Sequence, residues 1–289
     1  MALYIGTCGF SYQDWIGPFY PPGIKPLEML PYYAQRFPAV EIDSTYYAIP
    51  KAQLFESMHK RTPGAFRFTV KAPGTLTHAG ADAPARRQDA RDFEACLQPL
   101  LTAGKLAGVL AQFPNGFRPG PSSFARMEEL REWWPDLPLI AEFRNREWQR
   151  DDTLQRLRAL QIGWCNVDQP GFRSLMKPGA EVTSSIGYIR FHGRNYGSWW
   201  KHDRPSHERY SYLYSQAELE PWIPRIAEVT EEAQDAYVFF NNHHLGQAAI
   251  NARQLGDMLG LNAGQQAPAG KTGAPGGSTQ EGPADLRLL

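Results

Sequence analysis

The chain has 289 residues, of which 42% are hydrophobic and 21% are charged, a composition typical of a globular protein. Thirty Lys and Arg residues balance thirty Asp and Glu residues, so the formal net charge is zero. This balance excludes a basic surface over the whole protein for binding nucleic acid or an anionic membrane, although a local basic patch stays compatible with it.

Short hydrophobic runs alternate along the chain with longer segments of helical periodicity. The predicted strands cover residues 3–7, 39–43, 66–71, 106–112, 137–143, 164–168, 186–192 and 237–241. The predicted helices cover residues 26–37, 51–61, 86–101, 122–133, 151–160, 216–229 and 245–259. Ser122 is the predicted N-cap of the fourth of these helices, and Asp151 or Asp152 of the fifth.

Strands that alternate with helices predict parallel pairing and right-handed crossovers. Eight strands, nearly all followed by a helix, in about 260 residues predict an α/β fold, a parallel eight-stranded (β/α)8 TIM-like barrel. An open doubly wound sheet is the alternative. The barrel is favoured because eight strands can close and no G-x-G-x-x-G follows the first strand. We expect one barrel domain over residues 1–260.

Residues 261–289 have a different composition, with six Gly and three Pro in 29 positions and almost no apolar periodicity. This composition predicts a disordered tail. Gly270-Lys271-Thr272 superficially matches a phosphate loop. We reject that motif because the preceding glycine, Gly264, is one residue too far away and no strand leads into it.

The expected compartment is the cytoplasm. The N-terminus lacks the basic and apolar segments of a signal peptide, and no apolar run approaches the roughly 20 residues of a membrane span. No membrane partner is therefore expected. The cysteines, Cys8, Cys96 and Cys165, are odd in number and far apart, which argues against a disulfide framework or a thiolate zinc site.

Polar residues occur at the ends of several predicted strands, where the active sites of (β/α)8 barrels lie. They are Glu41, Asp43, Arg67, Thr69, Lys71, Gln112, Glu142, Asn166, Asp168, Arg190, His192 and Asn241. Apolar residues alternate with them, so we expect the polar side chains to face the barrel interior. For Glu41, Asp43 and Arg67, deeper in their strands, a closed salt-bridge network is the favoured interpretation. For those at the strand ends we favour a functional role.

The seventh strand and the loop after it are rich in cations and aromatic rings. Tyr188, Arg190 and His192 alternate with apolar residues in the strand. The loop adds Arg194, Tyr196, Trp199, Trp200, Lys201, Arg204, Arg209 and Tyr210. Arginines interleaved with aromatic rings suit an anionic ligand with a ring or sugar face. The alternative is a solvated loop with incidental charge.

Metal binding and thiol chemistry are both disfavoured. His78, His192, Glu41, Glu142 and Asp168 are candidate ligands, but no H-x-H or H-E-x-x-H spacing is present, so no dedicated metal is expected. Cys8 could act as a nucleophile with His192 as its base, yet a free cysteine is more often a small packing residue.

Several motifs together resemble the YecE-like family (DUF72), a family of unknown function. The motifs are residues 5–12 with Trp15 and 19–21, residues 40–47, residues 141–144 with Trp148, residues 188–194, residues 210–219, and residues 240–242 with Gly246 and 251–252. The resemblance implies a TIM-like barrel, no established reaction and no bound cofactor. The family barrel has been likened to sugar-isomerase and endonuclease barrels that use several metal ions, but their His-rich ligand set is not evident here. Asp43 stands where Asn is common in the family, and Cys8 where Ser is common.

The first functional hypothesis is a cofactor-free enzyme acting on an anionic polar substrate, a sugar phosphate or a nucleotide-like molecule. Its candidate catalytic residues are Glu142, Asp168 and His192. Its candidate ligand-binding residues are Lys71, Gln112, Tyr188, Arg190, Arg194, Trp199 and Asn241. Arg190, His192 and Lys71 would hold the anionic group, and Glu142 or Asp168 would move a proton.

Two other hypotheses belong to different functional classes. A nucleic-acid-binding module would grip a phosphodiester backbone without catalysis, through Arg144, Arg146, Arg194 and Lys201. A catalytically inactive scaffold would bind a protein partner through an exposed apolar patch that includes Trp15, Phe19 and Tyr20.

Overall fold

The structure is a computed structural model, and it describes residues 1–201 and 209–261. Residues 262–289 of the tail predicted at 261–289, and the loop residues 202–208 with Arg204, lie outside the described residues. Within the described part of the chain, no helix combines the length and the apolar character needed to cross a membrane.

Eight parallel strands form a closed barrel in sequence order, which confirms the predicted fold and excludes the open sheet. The strands are β1 (Ala2–Cys8), β2 (Ala39–Ile42), β3 (Arg67–Lys71), β4 (Leu106–Gln112), β5 (Leu139–Glu142), β6 (Gly163–Asp168), β7 (Ile186–Phe191) and β8 (Asp235–Phe240). The barrel closes where Thr7 of β1 pairs with Phe240 of β8. Closure brings the carboxyl ends of all the strands to one mouth.

Helices follow most of the strands and form the outer layer. They are α1 (Pro26–Ala34), α2 (Ala52–Lys60), α3 (Gly74–Thr77), α4 (Ala83–Thr102), α5 (Pro121–Trp133), α6 (Asp151–Ala159), α7 (Gln216–Leu219), α8 (Trp222–Glu232) and α9 (Gln247–Met258). The single helix predicted at 216–229 is two helices, because Pro221 lacks an amide hydrogen and starts a new helix. The predicted caps are also wrong. Helix α5 begins at Pro121 and α6 at Asp151, without side-chain caps.

Large apolar side chains fill the layer between the barrel and the helices. Trp134, Trp148, Trp164 and Trp222 are each at most 1% exposed. Burial of one such side chain contributes about 1.5–3 kcal/mol or more to folding, so this layer is the main source of stability.

One close approach between strands requires glycine. A Cβ on Gly6 of β1 would lie 2.1 Å from the carbonyl oxygen of Ala39 in β2.

Strand register determines which side chains face the barrel interior. Residues paired across neighbouring parallel strands point to the same side, and Val167 of β6 pairs with Arg190 of β7 while Asp168 pairs with Phe191. Arg190 contacts side chains across the barrel, so Val167 faces inward and Asp168 faces the helices. The predicted inward orientation of Asp168 and Asn166 is therefore wrong, and β6 contributes the other half of its residues to the interior.

Candidate functional site

A cavity of about 450 Å³ lies at the mouth where the strands end, a size suited to a small molecule. Residues at the ends of seven strands, or in the loops after them, form its walls. The lining residues are Asp43, Tyr46, Tyr47, Lys71, His78, Gln112, Pro114, Asn115, Arg144, Leu175, Arg190, Trp199, Trp200, Arg209, Tyr210, Asn241 and His243.

Arg190 is the centre of a buried ion-pair network below this cavity. Its guanidinium donates to Glu142 Oε2 and, at 2.6 Å, to Glu41 Oε1. Tyr188 donates to the other oxygen of Glu41 at 2.6 Å. All four side chains are at most 2% exposed. The network confirms the structural role predicted for Glu41, and Arg190 both lines the cavity and holds two strands through their carboxylates.

Glu142 joins this network to a second arginine and a histidine. Its Oε1 lies 2.8 Å from Nε of Arg144 and 3.2 Å from Nε2 of His192. Burial raises the pKa of Glu142, but the charges of Arg144 and Arg190, with His192, outweigh burial and hold it well below its usual range. Glu142 is therefore a carboxylate near neutral pH, and its counter-ions are the two cavity-lining arginines.

His192 is fully buried, and its contacts select one neutral form. Asn241 Nδ2 lies 3.1 Å from Nδ1 of His192. An amide nitrogen can only donate, so Nδ1 is the acceptor and the ring proton is on Nε2, facing Glu142. Burial, followed by the charge of Arg144, lowers the pKa of His192 to about 3. His192 therefore cannot supply the positive charge that the sequence hypothesis assigned to it.

We expect the His192 imidazole to stay neutral between about pH 5 and 8. Its signals in an NMR titration, assigned by comparison with His192→Asn, should not move over this range. The unfolded chain takes up the proton near pH 6.5 while the folded chain resists it to about 3, so this group lowers stability as the pH falls between those values. A His192 signal titrating near pH 6.5 would contradict the buried neutral ring.

Asp168 belongs to a separate buried network between β6 and the helices. It accepts hydrogen bonds from Arg194 at 2.8 and 2.6 Å, from Tyr214 at 2.7 Å and from Trp222 at 2.8 Å. Both carboxylate oxygens are occupied, and the side chain is fully buried. Neither Asp168 nor Arg194 is among the residues that line the cavity. Their geometry corresponds to a structural link rather than to a group that meets a ligand.

Lys71, the last residue of β3, has a different environment. Thr45 donates to its backbone oxygen at 2.6 Å, and its Nζ lies 4.4 Å from the centre of the Tyr46 ring. Burial and the neighbouring Arg190 lower the pKa of Lys71 to about 8, although Glu142, Glu41 and Asp43 oppose this shift. The amine of Lys71 therefore titrates close to neutral pH.

The structure brings half of the ten predicted site residues to the cavity wall. These are Lys71, Gln112, Arg190, Trp199 and Asn241. Glu142 and His192 lie directly behind Arg144 and Asn241, Tyr188 lies behind Arg190, and Asp168 and Arg194 are elsewhere. Asp43 was expected in the internal network but lines the cavity, because β2 ends at Ile42 and Asp43 starts the loop.

Sequence reasoning gave no site role to several of the ring and amide groups in the walls. Tyr46, Tyr47 and Asn115 follow β2 and β4 directly, and His243 occurs in the loop after β8. Their position just beyond a strand end could have identified them as site residues. Tyr46 and Tyr47 also belong to the motif at 40–47, which was used only for the family resemblance.

The other chemical hypotheses meet specific obstacles in the structure. Cys8 is fully buried, and burial raises the pKa of its thiol well above the usual range, as expected for a packing residue. The prediction of an exposed apolar patch for a protein partner is wrong, because Trp15 and Tyr20 are at most 1% exposed. Two of the cations proposed to bind the phosphodiester backbone of a nucleic acid, Arg144 and Arg194, are paired with buried carboxylates.

No group of three or more His, Cys, Asp or Glu side chains within residues 1–201 and 209–261 is arranged to hold a metal ion. The three cysteines are free and buried.

Comparison with known proteins identifies the family. The profile described as "Protein of unknown function DUF72" matches residues 4–275. The UPF0759 protein YunF of Bacillus subtilis is 34% identical over 280 residues, which cover 92% of this chain and 98% of YunF. The UPF0759 protein YecE of Escherichia coli is 35% identical over 79 residues, 27% of this chain.

A crystal structure of a DUF72 family protein from Thermotoga maritima has 39% sequence identity and a TM-score of 0.82, and the match covers 90% of this chain and all of that one. A DUF72 family protein from Enterococcus faecalis has 27% identity and a TM-score of 0.80, with 93% of this chain covered. The motifs, the barrel and these similarities agree, and the chain belongs to the DUF72 family of proteins of unknown function.

Proposed function

We propose that the mouth cavity binds a small anionic polar molecule with a sugar or ring face, and that the chain is an enzyme that performs acid–base chemistry on it with its own side chains. The observation that carries this proposal is the charge of the cavity wall. Lys71, Arg144, Arg190 and Arg209 line it, against one carboxylate, Asp43, among the described residues.

The buried carboxylates leave part of this positive charge available. Arg190 and Arg144 are balanced by Glu41 and Glu142, whereas no ion pair to a described carboxylate holds Lys71 or Arg209. The Nε atoms of Arg190 and Arg209 are buried and have no hydrogen-bond partner in the described part of the chain. Unused cationic donors beside a cavity favour a ligand with several acceptor oxygens, such as a phosphate or carboxylate.

The remaining wall residues favour a sugar or a ring for the rest of the ligand. Tyr46, Trp199 and Tyr210 offer aromatic faces, and Gln112 and Asn241 offer amide donors and acceptors. Aromatic faces stack on sugars and rings, while amides hydrogen-bond to hydroxyl groups. A sugar phosphate combines both features.

We assign proton transfer in this enzyme to Lys71 rather than to Glu142 or Asp168. An acid–base group works best when its pKa is near the working pH, and the pKa of Lys71 is about 8. Glu142 and His192 are positioning residues, because they act on the cavity through Arg144 and Asn241. Asp168 has a structural role.

Titration calorimetry with inorganic phosphate, sugar phosphates and their neutral sugars tests the binding site. We expect anionic compounds to bind and the neutral sugars to bind at least tenfold more weakly. Arg209→Met and Lys71→Met should each weaken binding about tenfold, the value of one charge-assisted hydrogen bond.

Lys177→Met is the matched control, because Lys177 is exposed and does not line the cavity. It should bind like the wild type. Equal binding of charged and neutral compounds, or an equal loss in the control variant, would rule out the anion site.

A further inference from the structure

Lys71 is half-buried, and what surrounds its amine differs from the surroundings of a fully buried lysine. Glu41 and Glu142, the carboxylates that act on it through charge, are already paired with arginines. In the described ranges, no ion pair or hydrogen bond holds its Nζ, whose recorded contact is the face of Tyr46. The amine therefore keeps its lone pair available toward the cavity whenever it is deprotonated.

Lys105 shows that burial alone does not produce this arrangement. Lys105 is 5% exposed, and burial also lowers its pKa. Its Nζ donates at 2.7 Å to the backbone oxygen of His59, and at 2.8 and 2.9 Å to two oxygens of Thr62. Those acceptors favour the ammonium form of Lys105, and Lys105 is not among the residues that line the mouth cavity. Lys105 is thus an internal control for Lys71.

We propose that Lys71 forms an imine with the carbonyl carbon of a small anionic aldehyde or ketone, such as an open-chain sugar phosphate. This inference rests on the proposed anion-binding function of the same cavity. Lysine amines freed from ion pairs in a desolvated pocket are the nucleophiles used for this chemistry. Arg209, which no described carboxylate pairs with, would hold the anionic group while the amine meets the carbonyl.

The step balances without any further reactant. The Nζ lone pair attacks the carbonyl carbon, and the C=O π electrons move to the oxygen. A proton passes from the nitrogen to this oxygen and gives a carbinolamine. One proton from solvent lets the hydroxyl leave as water, and the product is a protonated imine. Its positive nitrogen withdraws electrons from the neighbouring carbon, which favours proton removal there or cleavage of the next C–C bond.

The pH dependence follows from the groups that face Lys71. Arg190 stays positive and Glu142 stays negative near neutral pH, while Glu41 and Asp43 add negative charge. Burial lowers the pKa of His78, so this neighbour is neutral above its usual titration range. Titration of Lys71 itself, near pH 8, should therefore control the rate of imine formation.

Pyridoxal 5′-phosphate is a suitable probe because it joins an aldehyde, a phosphate and an aromatic ring. The full chain is mixed with an equimolar amount, reduced with borohydride and digested, and the modified peptide is identified by mass spectrometry. We expect one pyridoxyl group on Lys71, at a rate that rises at least fivefold between pH 6.5 and 8.5. Lys105 and Lys177 should stay unmodified, and Lys71→Arg should remove the labelling while retaining the charge.

Pyridoxine 5′-phosphate, which has an alcohol in place of the aldehyde, separates the two proposals. It should compete with the labelling, which supports both. If it binds the cavity but the aldehyde leaves Lys71 unmodified, imine formation is overturned and anion binding stands. If neither compound binds, both proposals are overturned. Labelling spread over exposed lysines, and equal in Lys71→Arg, also overturns the imine.

Discussion

Replacement of Arg190 by methionine should lower the free energy of unfolding by about 3–5 kcal/mol, the usual cost of removing one partner of a buried ion pair. Arg190 donates to Glu41 and Glu142, which are both fully buried. Methionine fills a similar volume but leaves two carboxylates without their shared cation. Chemical denaturation followed by circular dichroism measures the loss.

Arg118→Met is the matched control, because Arg118 pairs with Glu147 on the surface at 62% side-chain exposure. It should change stability by less than about 1 kcal/mol. Combining Arg190→Met with Glu41→Gln should restore part of the loss, since the carboxylate that pairs with Arg190 alone is then neutral, while Glu142 keeps Arg144 as its counter-ion. A single Arg190→Met variant as stable as the Arg118 control would contradict the network.

The Arg190 effect should also depend on pH in a defined direction. The folded-state pKa of Glu142 is below its ordinary value of 4.5, so its pairing contributes stability above that pH and loses it as the pH falls toward the folded-state pKa. Without Arg190, burial should raise the pKa of the unpaired carboxylates, so the stability difference between the wild type and Arg190→Met should shrink as the pH falls and the variant takes up protons first. A difference that grows on acidification would have the wrong sign.

Replacement of Asp168 by alanine should cost on the order of 3 kcal/mol in stability, and it should leave ligand binding in the cavity nearly unchanged. The substitution leaves the buried Tyr214 hydroxyl and Trp222 indole without an acceptor and Arg194 without its counter-ion. Each orphaned buried donor costs about 1–3 kcal/mol. Denaturation curves measure the stability, and the phosphate titration measures binding.

The control for Asp168 is Asp152→Ala, because Asp152 pairs with Arg150 on the surface at 45% exposure. Its effect should stay below about 1 kcal/mol. The two readouts separate a structural Asp168 from a ligand-binding one. If Asp168→Ala keeps the stability of the wild type but loses phosphate binding, Asp168 belongs to the site. Its assignment to the helix side of the barrel would then be wrong.

The site residues could be predicted only in part, and β6 and β7 show why. On β7, polar Tyr188 and Arg190 alternate with apolar neighbours, and the polar side does face the interior. On β6 the same alternation has the opposite meaning, because Tyr214 and Trp222 supply hydrogen-bond donors on the helix side. Polarity alone does not decide which face of a strand is inside when both faces are buried.

The depth of each polar side chain along the barrel axis also could not be predicted from the sequence. Glu41 and Asp43 are two residues apart, yet one is fully buried in the Arg190 network and the other lines the cavity. Glu142 and His192 were expected at the mouth but lie behind Arg144 and Asn241. The length of each long side chain, and what it pairs with, determines which atoms a ligand can reach.

The sequence by itself determined the order of eight strands, their parallel pairing and the closed barrel, because hydrophobic periodicity and short connections are local properties. It also determined that polar groups collect where the strands end. Only the tertiary structure decided which of them meet. The contacts that define the site join residues as far apart as Glu41 and Arg190, separated by 149 positions, and such pairings follow from barrel closure and register rather than from any local pattern.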